Sequence, residues 1–140
     1  MWKIPDETVF IGNRGDFRDI GVLRRAGIQA IIDLAMEELP VTASRDTLLF
    51  RIPLEDGGGN DAETLRLGVD LVHTLLAMGR TTLVVCSAGM SRSPSIVALA
   101  IARKRRIEPE AALSLLASHG PVDVSPAFWA GARRVHDGRE

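Results

Sequence analysis

An α/β domain, with a central, mostly parallel sheet of about four or five strands flanked by helices, is the fold class this sequence predicts. Three observations carry it. Short apolar or β-branched runs alternate with segments of helical periodicity, the pattern of strand–helix units. The run Ile28 to Leu34 is apolar almost without interruption, as in a parallel strand buried on both faces. Punctuation by Gly, Pro, Asp and Ser falls between these runs rather than inside them.

The elements follow in order. Thr8 to Ile11 reads as a short strand ending at Gly12-Asn13. Asp16 is placed to cap a helix over Phe17 to Ala26, and Gly27 to end it. Ile28 to Leu34 is the second strand. The polar segment Glu37 to Thr47 is expected to be irregular or partly helical. Leu48 to Leu54 alternates and forms the third strand, and Glu55-Asp56-Gly57-Gly58-Gly59-Asn60 is a loop. Asp61 caps a helix reaching about Met78, in which Leu65, Val69, Val72 and Leu76 share one face. Gly79 ends it. Leu83 to Val85 is the central strand. Ser93 to about Arg105 is apolar on most sides and should be the buried helix. Glu108-Pro109 opens another helix, His119-Gly120-Pro121 breaks it, and Ser125-Pro126 opens the last, through Val135.

The 140 residues suit a single domain spanning 1–140. With 46% hydrophobic and 25% charged residues and a net charge of −1, the chain lacks the basic excess of a nucleic-acid binder. No apolar run is long enough for a membrane span, and the N-terminus carries no signal-peptide stretch. A single Cys excludes an internal disulfide and fits a reducing compartment, so a cytoplasmic location is expected. His73, His119 and His136 show no metal-ligand spacing, and neither a metal nor another cofactor is expected. Trp2 and Trp129 read as packing residues, and Arg103-Lys104-Arg105-Arg106 as the solvated last turn of a helix. Oligomeric state is not legible.

The chemistry concentrates at Cys86. This thiol ends a strand and opens the loop Ser87-Ala88-Gly89-Met90-Ser91, which leads through Arg92 and Ser93 into the buried helix. Loop N–H groups and a helix N-terminus favour an anion there, and the same field favours thiolate over thiol. Arg92 supplies a planar fork that grips two oxygens of a phosphate. Gly89 permits positive φ or close approach to an anion. Ser93 could hydrogen-bond the Cys86 sulfur through its hydroxyl, and Ser91 could cap the helix. An inert buried Cys would have no need of Arg92 beside it.

Cleaving a phosphate ester also calls for a general acid. Asp56 is the best candidate: it ends a predicted strand 30 residues before Cys86, ahead of three Gly that would let the loop swing over substrate. Glu55 and Asp61 compete for the role, although Asp61 has an N-cap role available.

Cys86-Ser-Ala-Gly89-Met-Ser91-Arg92-Ser93 resembles the phosphate-binding signature of cysteine-dependent dual-specificity protein phosphatases. Val9 to Asn13, Leu23 to Leu34, Arg51 to Asp56, 108–117 and Pro126 to Trp129 extend the likeness over most of the chain. The resemblance implies a protein-tyrosine-phosphatase-like fold and a metal-independent phosphoester hydrolase working through a phosphocysteine intermediate. In it Cys86 is the nucleophile, Asp56 the proton donor, and Ser93 and Arg92 further catalytic residues. Ser87, Ala88, Gly89, Met90, Ser91 and Arg92 hold the substrate phosphate.

The implied substrates are phosphotyrosine, phosphoserine or phosphothreonine in proteins, or small aryl phosphates. Relatives acting on inositol phosphates carry extra Lys in the loop. Ser87, Ala88, Met90 and Ser91 are uncharged, which argues against polyphosphoinositides. Two places depart from the family pattern. Val85 stands where a His usually precedes the nucleophile, implying a smaller thiolate fraction near neutrality and an activity optimum displaced upward. Ser125-Pro126-Ala127 stands where the family often has a Pro-Asn pair before its last helix, so a supporting Asn contact should be missing. Two other functions compete: a phosphate-binding docking module without turnover, and a sulfur-transfer domain, against which Ser93 after Arg92 weighs.

Overall fold

The computed structural model describes residues 1–40 and 42–138. Five strands, β1 (Trp2–Lys3), β2 (Val9–Asn13), β3 (Ala30–Ala35), β4 (Leu48–Leu54) and β5 (Thr82–Cys86), form one sheet in the order β1-β2-β5-β3-β4. All neighbours are parallel except β1, which pairs antiparallel to β2 through Trp2↔Ile11 and Lys3↔Phe10. β1 was not anticipated: two residues are too few to show a period in sequence.

The middle strand is β5, so the segment leading to Cys86 is flanked on both sides, with Asn13 opposite Cys86 and Asp33 opposite Val85. Side chains alternate along it. Val84 and Cys86 belong to the main core, whereas Leu83 and Val85 face a second cluster with Phe17, Leu23 and Ile31. Val85 therefore serves as apolar packing on the sheet face opposite Cys86.

The main core is closed by α3 (Ala62–Ala77), α4 (Arg92–Arg105), α5 (Pro109–Ala117) and α6 (Pro126–Asp137). α4 is the buried helix: every residue from Arg92 to Ala102 is enclosed. Ile96, Leu99 and Ile101 are each fully buried, a gain of about 1.5–3 kcal/mol apiece. Its basic last turn is tied down by acids, Arg103 to Asp70 and both Lys104 and Arg105 to the buried Glu7.

The expected helix over Phe17 to Ala26 is instead two short ones, α1 (Arg14–Phe17) and α2 (Ile20–Arg25). Two caps explain the break. Asn13 and Asp16 form a capping box, with Asp16 as its third helical residue, and Asp19 caps α2 by accepting from Val22 N–H at 3.1 Å. Gly27, at φ +71°, ends α2 as expected. Asp61, Glu108 and Ser125 stand at the N-caps of α3, α5 and α6, as their sequence signals predict.

Candidate active site

Parallel β2, β5, β3 and β4 run the same way, so the segments after their C-terminal ends meet at one edge of the sheet. There Cys86, only 2% exposed, begins the loop of 87–91, and Arg92 begins α4. Ser93 approaches the sulfur through its backbone N–H, 3.5 Å from Cys86 Sγ. This corrects the expected hydroxyl contact: Ser93 Oγ is buried without a partner among the described residues.

Gly89 adopts φ +76°, and a Cβ there would lie 2.8 Å from the carbonyl carbon and oxygen of Gly12. Both conformation and space therefore require glycine. Gly89→Ala is expected to destabilise the protein by roughly 1–3 kcal/mol. The check is thermal unfolding, read beside the phosphate affinity of whatever remains folded.

The Arg92 side chain meets a partner that the sequence reading passed over. Nη1 and Nη2 each donate at 2.6 Å to an oxygen of Glu37, and Nη1 also reaches Leu54 O at 2.7 Å. Glu37 further accepts from Ser87 Oγ in a very short contact. Its segment is held by Arg51, which donates to Met36 O and Glu38 O, and by the buried Arg14, which donates to Leu39 O and pairs with Asp33. Glu37 lies in the stretch read as irregular. The available signal was two adjacent carboxylates just beyond β3, at the same sheet edge as Cys86.

The Arg92 hydrogen bonds, opposed by partial burial and helped by Ser87, hold Glu37 down at about 2 against its ordinary 4.5. Burial pulls Arg92 the other way, but Glu37 and the nearby Cys86 and Asp56 charges outweigh it, and Arg92 is raised overall. A lowered carboxylate stabilises the fold above its unfolded value and loses that contribution as pH falls through the folded one. The Glu37 pair is therefore intact above pH 4.5 and lost toward pH 2. Glu37 is 52% exposed, so solvent screening limits its weight. Glu37→Gln is expected to flatten the acid limb of stability across that window, measured by denaturant midpoints at stepped pH.

The three candidate acids separate clearly. Glu55 turns back to Gly59 N–H, and Asp61 caps α3 through Thr64 N–H at 2.7 Å and the Thr64 hydroxyl at 3.0 Å. Asp56 alone of the three bonds to the Cys86 loop, its Oδ1 accepting from Ser91 Oγ at 2.7 Å. Ser91 stands at the N-cap position of α4 but makes no side-chain cap bond, contrary to the capping role expected of it. Ser125 N–H donates to the same Ser91 Oγ at 2.8 Å. Met90 is 37% exposed on the loop, and its carbonyl accepts from Asp123 N–H. No group of three His, Cys, Asp or Glu among the described residues is arranged to hold a metal ion. No helix among them is long and apolar enough to cross a membrane.

A mixed sheet with β5 at its centre, a thiol at that strand's end, and an arginine opening the next helix define a protein-tyrosine-phosphatase-like α/β domain. The family model described as "Dual specificity phosphatase, catalytic domain" matches residues 9–131, and the chain belongs to that family. Its backbone is similar to human DUSP28, with a TM-score of 0.86 at 19% identity over 99% of this chain and 96% of that one. It is also similar to PTPMT1 in complex with PI(5)P, with a TM-score of 0.78 at 19% identity over 98% and 95% of the two chains. In sequence, 68 residues are 35% identical to the phosphatidylglycerophosphate phosphatase PTPMT1 of Arabidopsis thaliana. Those residues are 48% of this chain and span only 20% of that protein's length.

Proposed function

We propose that this chain is a metal-independent phosphatase that hydrolyses phosphate monoesters through a phosphocysteine at Cys86. The observation that carries this reading is the state of Arg92. Glu37 fills its Nη1 and Nη2 end-on, while its Nε is buried with no partner among the described residues. A buried guanidinium N–H left unmatched is costly. A phosphate oxygen on the Nε edge would satisfy it, at the N-terminus of the helix that the Cys86 loop leads into.

In the proposed first step the Cys86 thiolate attacks phosphorus and the ester oxygen leaves with the bonding pair, taking a proton from Asp56. Ser93 N–H, 3.5 Å from the sulfur, stabilises the thiolate before attack and on its return. Backbone N–H groups of Ser87, Ala88, Gly89, Met90 and Ser91, with the Arg92 fork, hold the other phosphate oxygens. In the second step Asp56 takes a proton from water, the water oxygen bonds phosphorus, and the sulfur departs as thiolate.

Phosphotyrosine and phosphoserine or phosphothreonine side chains are the proposed substrates, in a cytoplasmic setting that keeps the lone thiol reduced. The name of the Arabidopsis relative favours a second reading, a lipid phosphate monoester. The uncharged loop residues suit one phosphate rather than several.

The test is phosphate release from 4-nitrophenyl phosphate, phosphopeptides and phosphatidylglycerophosphate vesicles by wild type and Asp56→Asn. Turnover by wild type is expected, with Asp56→Asn slowed on the order of 10²-fold or more on phosphopeptides. Tight phosphate binding with no turnover on any substrate would contradict the proposal and point to a docking module.

A further inference from the structure

Asp56 is fixed in place by a relay that runs through the nucleophile loop. Ser125 N–H donates to Ser91 Oγ at 2.8 Å, and Ser91 Oγ lies 2.7 Å from Asp56 Oδ1. A serine hydroxyl has one hydrogen and two lone pairs. Ser125 N–H can only donate, so it takes a lone pair, and the single Ser91 hydrogen is left to point at Asp56. Ser91 is 8% exposed, which keeps bulk water from competing for these bonds. A capping role does not account for the side chain, because no α4 N–H is bonded to it.

We infer that Ser91 is a positioning residue for the proton donor, and that it assigns the two oxygens of Asp56 to different tasks. Oδ1 is the acceptor held by Ser91, and Oδ2 carries the proton that goes to the leaving oxygen. The inference rests on the reading of Asp56 as the general acid. When the P–O bond breaks, its electron pair stays on the ester oxygen, which takes the Oδ2 proton. Asp56 is left as a carboxylate, with Oδ1 still accepting from Ser91. In the second step Oδ2 receives a proton from the attacking water, and the S–P pair returns to Cys86.

The segment around Asp56 agrees with a donor held ready before substrate arrives. Asn60 Oδ1 accepts from Glu55 N–H at 2.9 Å, Asn60 Nδ2 donates to Glu55 O at 2.8 Å, and Gly59 N–H donates to Glu55 Oε1 at 2.9 Å. The three glycines thus sit in a turn closed on itself. In this arrangement the donor is pinned to the residue next to Arg92.

Leaving-group dependence tests this directly. In 4-nitrophenyl phosphate the phenolate departs without help, whereas phenyl phosphate needs its leaving oxygen protonated. Ser91→Ala is expected to lose on the order of 10-fold more kcat/KM on phenyl phosphate than on 4-nitrophenyl phosphate. Ser91→Thr, which keeps the hydroxyl, should restore the shallow dependence of wild type. Equal losses on both esters would overturn the inference, because a purely structural role in the loop predicts that result; so would no loss on either. Asp56→Asn is the control. If it is also insensitive to the leaving group, the acid assignment itself fails. If it is steep while Ser91→Ala is flat, only the role of Ser91 falls.

Discussion

Cys86→Ser is expected to lower turnover of an aryl phosphate on the order of 10⁴-fold or more, the scale of removing an attacking nucleophile. The reason is chemical rather than steric. A serine hydroxyl is not ionised near neutral pH and lacks the nucleophilicity of a thiolate. Among the described residues the hydrogen bond to Cys86 Sγ comes from Ser93 N–H, a donor and not a base, and Val85 beside it is an apolar residue on the opposite sheet face. A comparison of kcat/KM between wild type and Cys86→Ser, with iodoacetamide labelling of Cys86 in wild type, checks this. Residual Cys86→Ser turnover within tenfold of wild type would remove the nucleophile from the account.

Arg92→Lys should be the second most damaging change, lowering kcat roughly 10²–10³-fold, as expected when a group that stabilises transition-state charge is removed. The charge is conserved and the geometry is not. Arg92 binds both oxygens of Glu37 and Leu54 O, and still has Nε left over. An ammonium is a single point with three donors and no planar edge, so it cannot hold Glu37 end-on and a phosphate side-on together. The effect should be coupled to Glu37. Glu37→Gln is expected to cost less in the Arg92→Lys background than in wild type, a non-additivity that a double-mutant cycle measures. Strict additivity would mean that Glu37 does not act through Arg92.

Much of this was legible in the sequence, and the parts that were not have identifiable causes. β4 and the caps at Asp61 and Ser125 were readable because alternation and capping are local signals. The burial of α4 was readable because its apolar residues leave no polar face. The split of the first helix was hidden because two local caps, Asn13 and Asp19, act one after the other, and Asp16, read as the single cap, is the third residue of the first short helix. Within the site, Cys86 and Arg92 announce themselves by spacing, and Asp56 by its strand end. Glu37 does not, because its role exists only once β3 and β5 lie side by side and bring residues 55 apart in sequence within 2.6 Å. Ser91 was visible, but its hydroxyl was assigned to the nearest local task, a helix cap. The structure gives it a distant one, because Asp56 and Ser125 arrive from other segments to use it.

The most direct test of the account is to trap the covalent intermediate. Asp56→Asn, mixed with 4-nitrophenyl phosphate, should still form the phosphocysteine, because that phenolate leaves without a proton, and should hydrolyse it slowly for lack of a base. Acid quenching within the first turnover, followed by peptide mass spectrometry, should find one phosphoryl group on the Cys86 peptide, matched by a stoichiometric burst of 4-nitrophenol. Steady turnover by wild type, with no burst and no phosphoryl group on Cys86 in either protein, would contradict it.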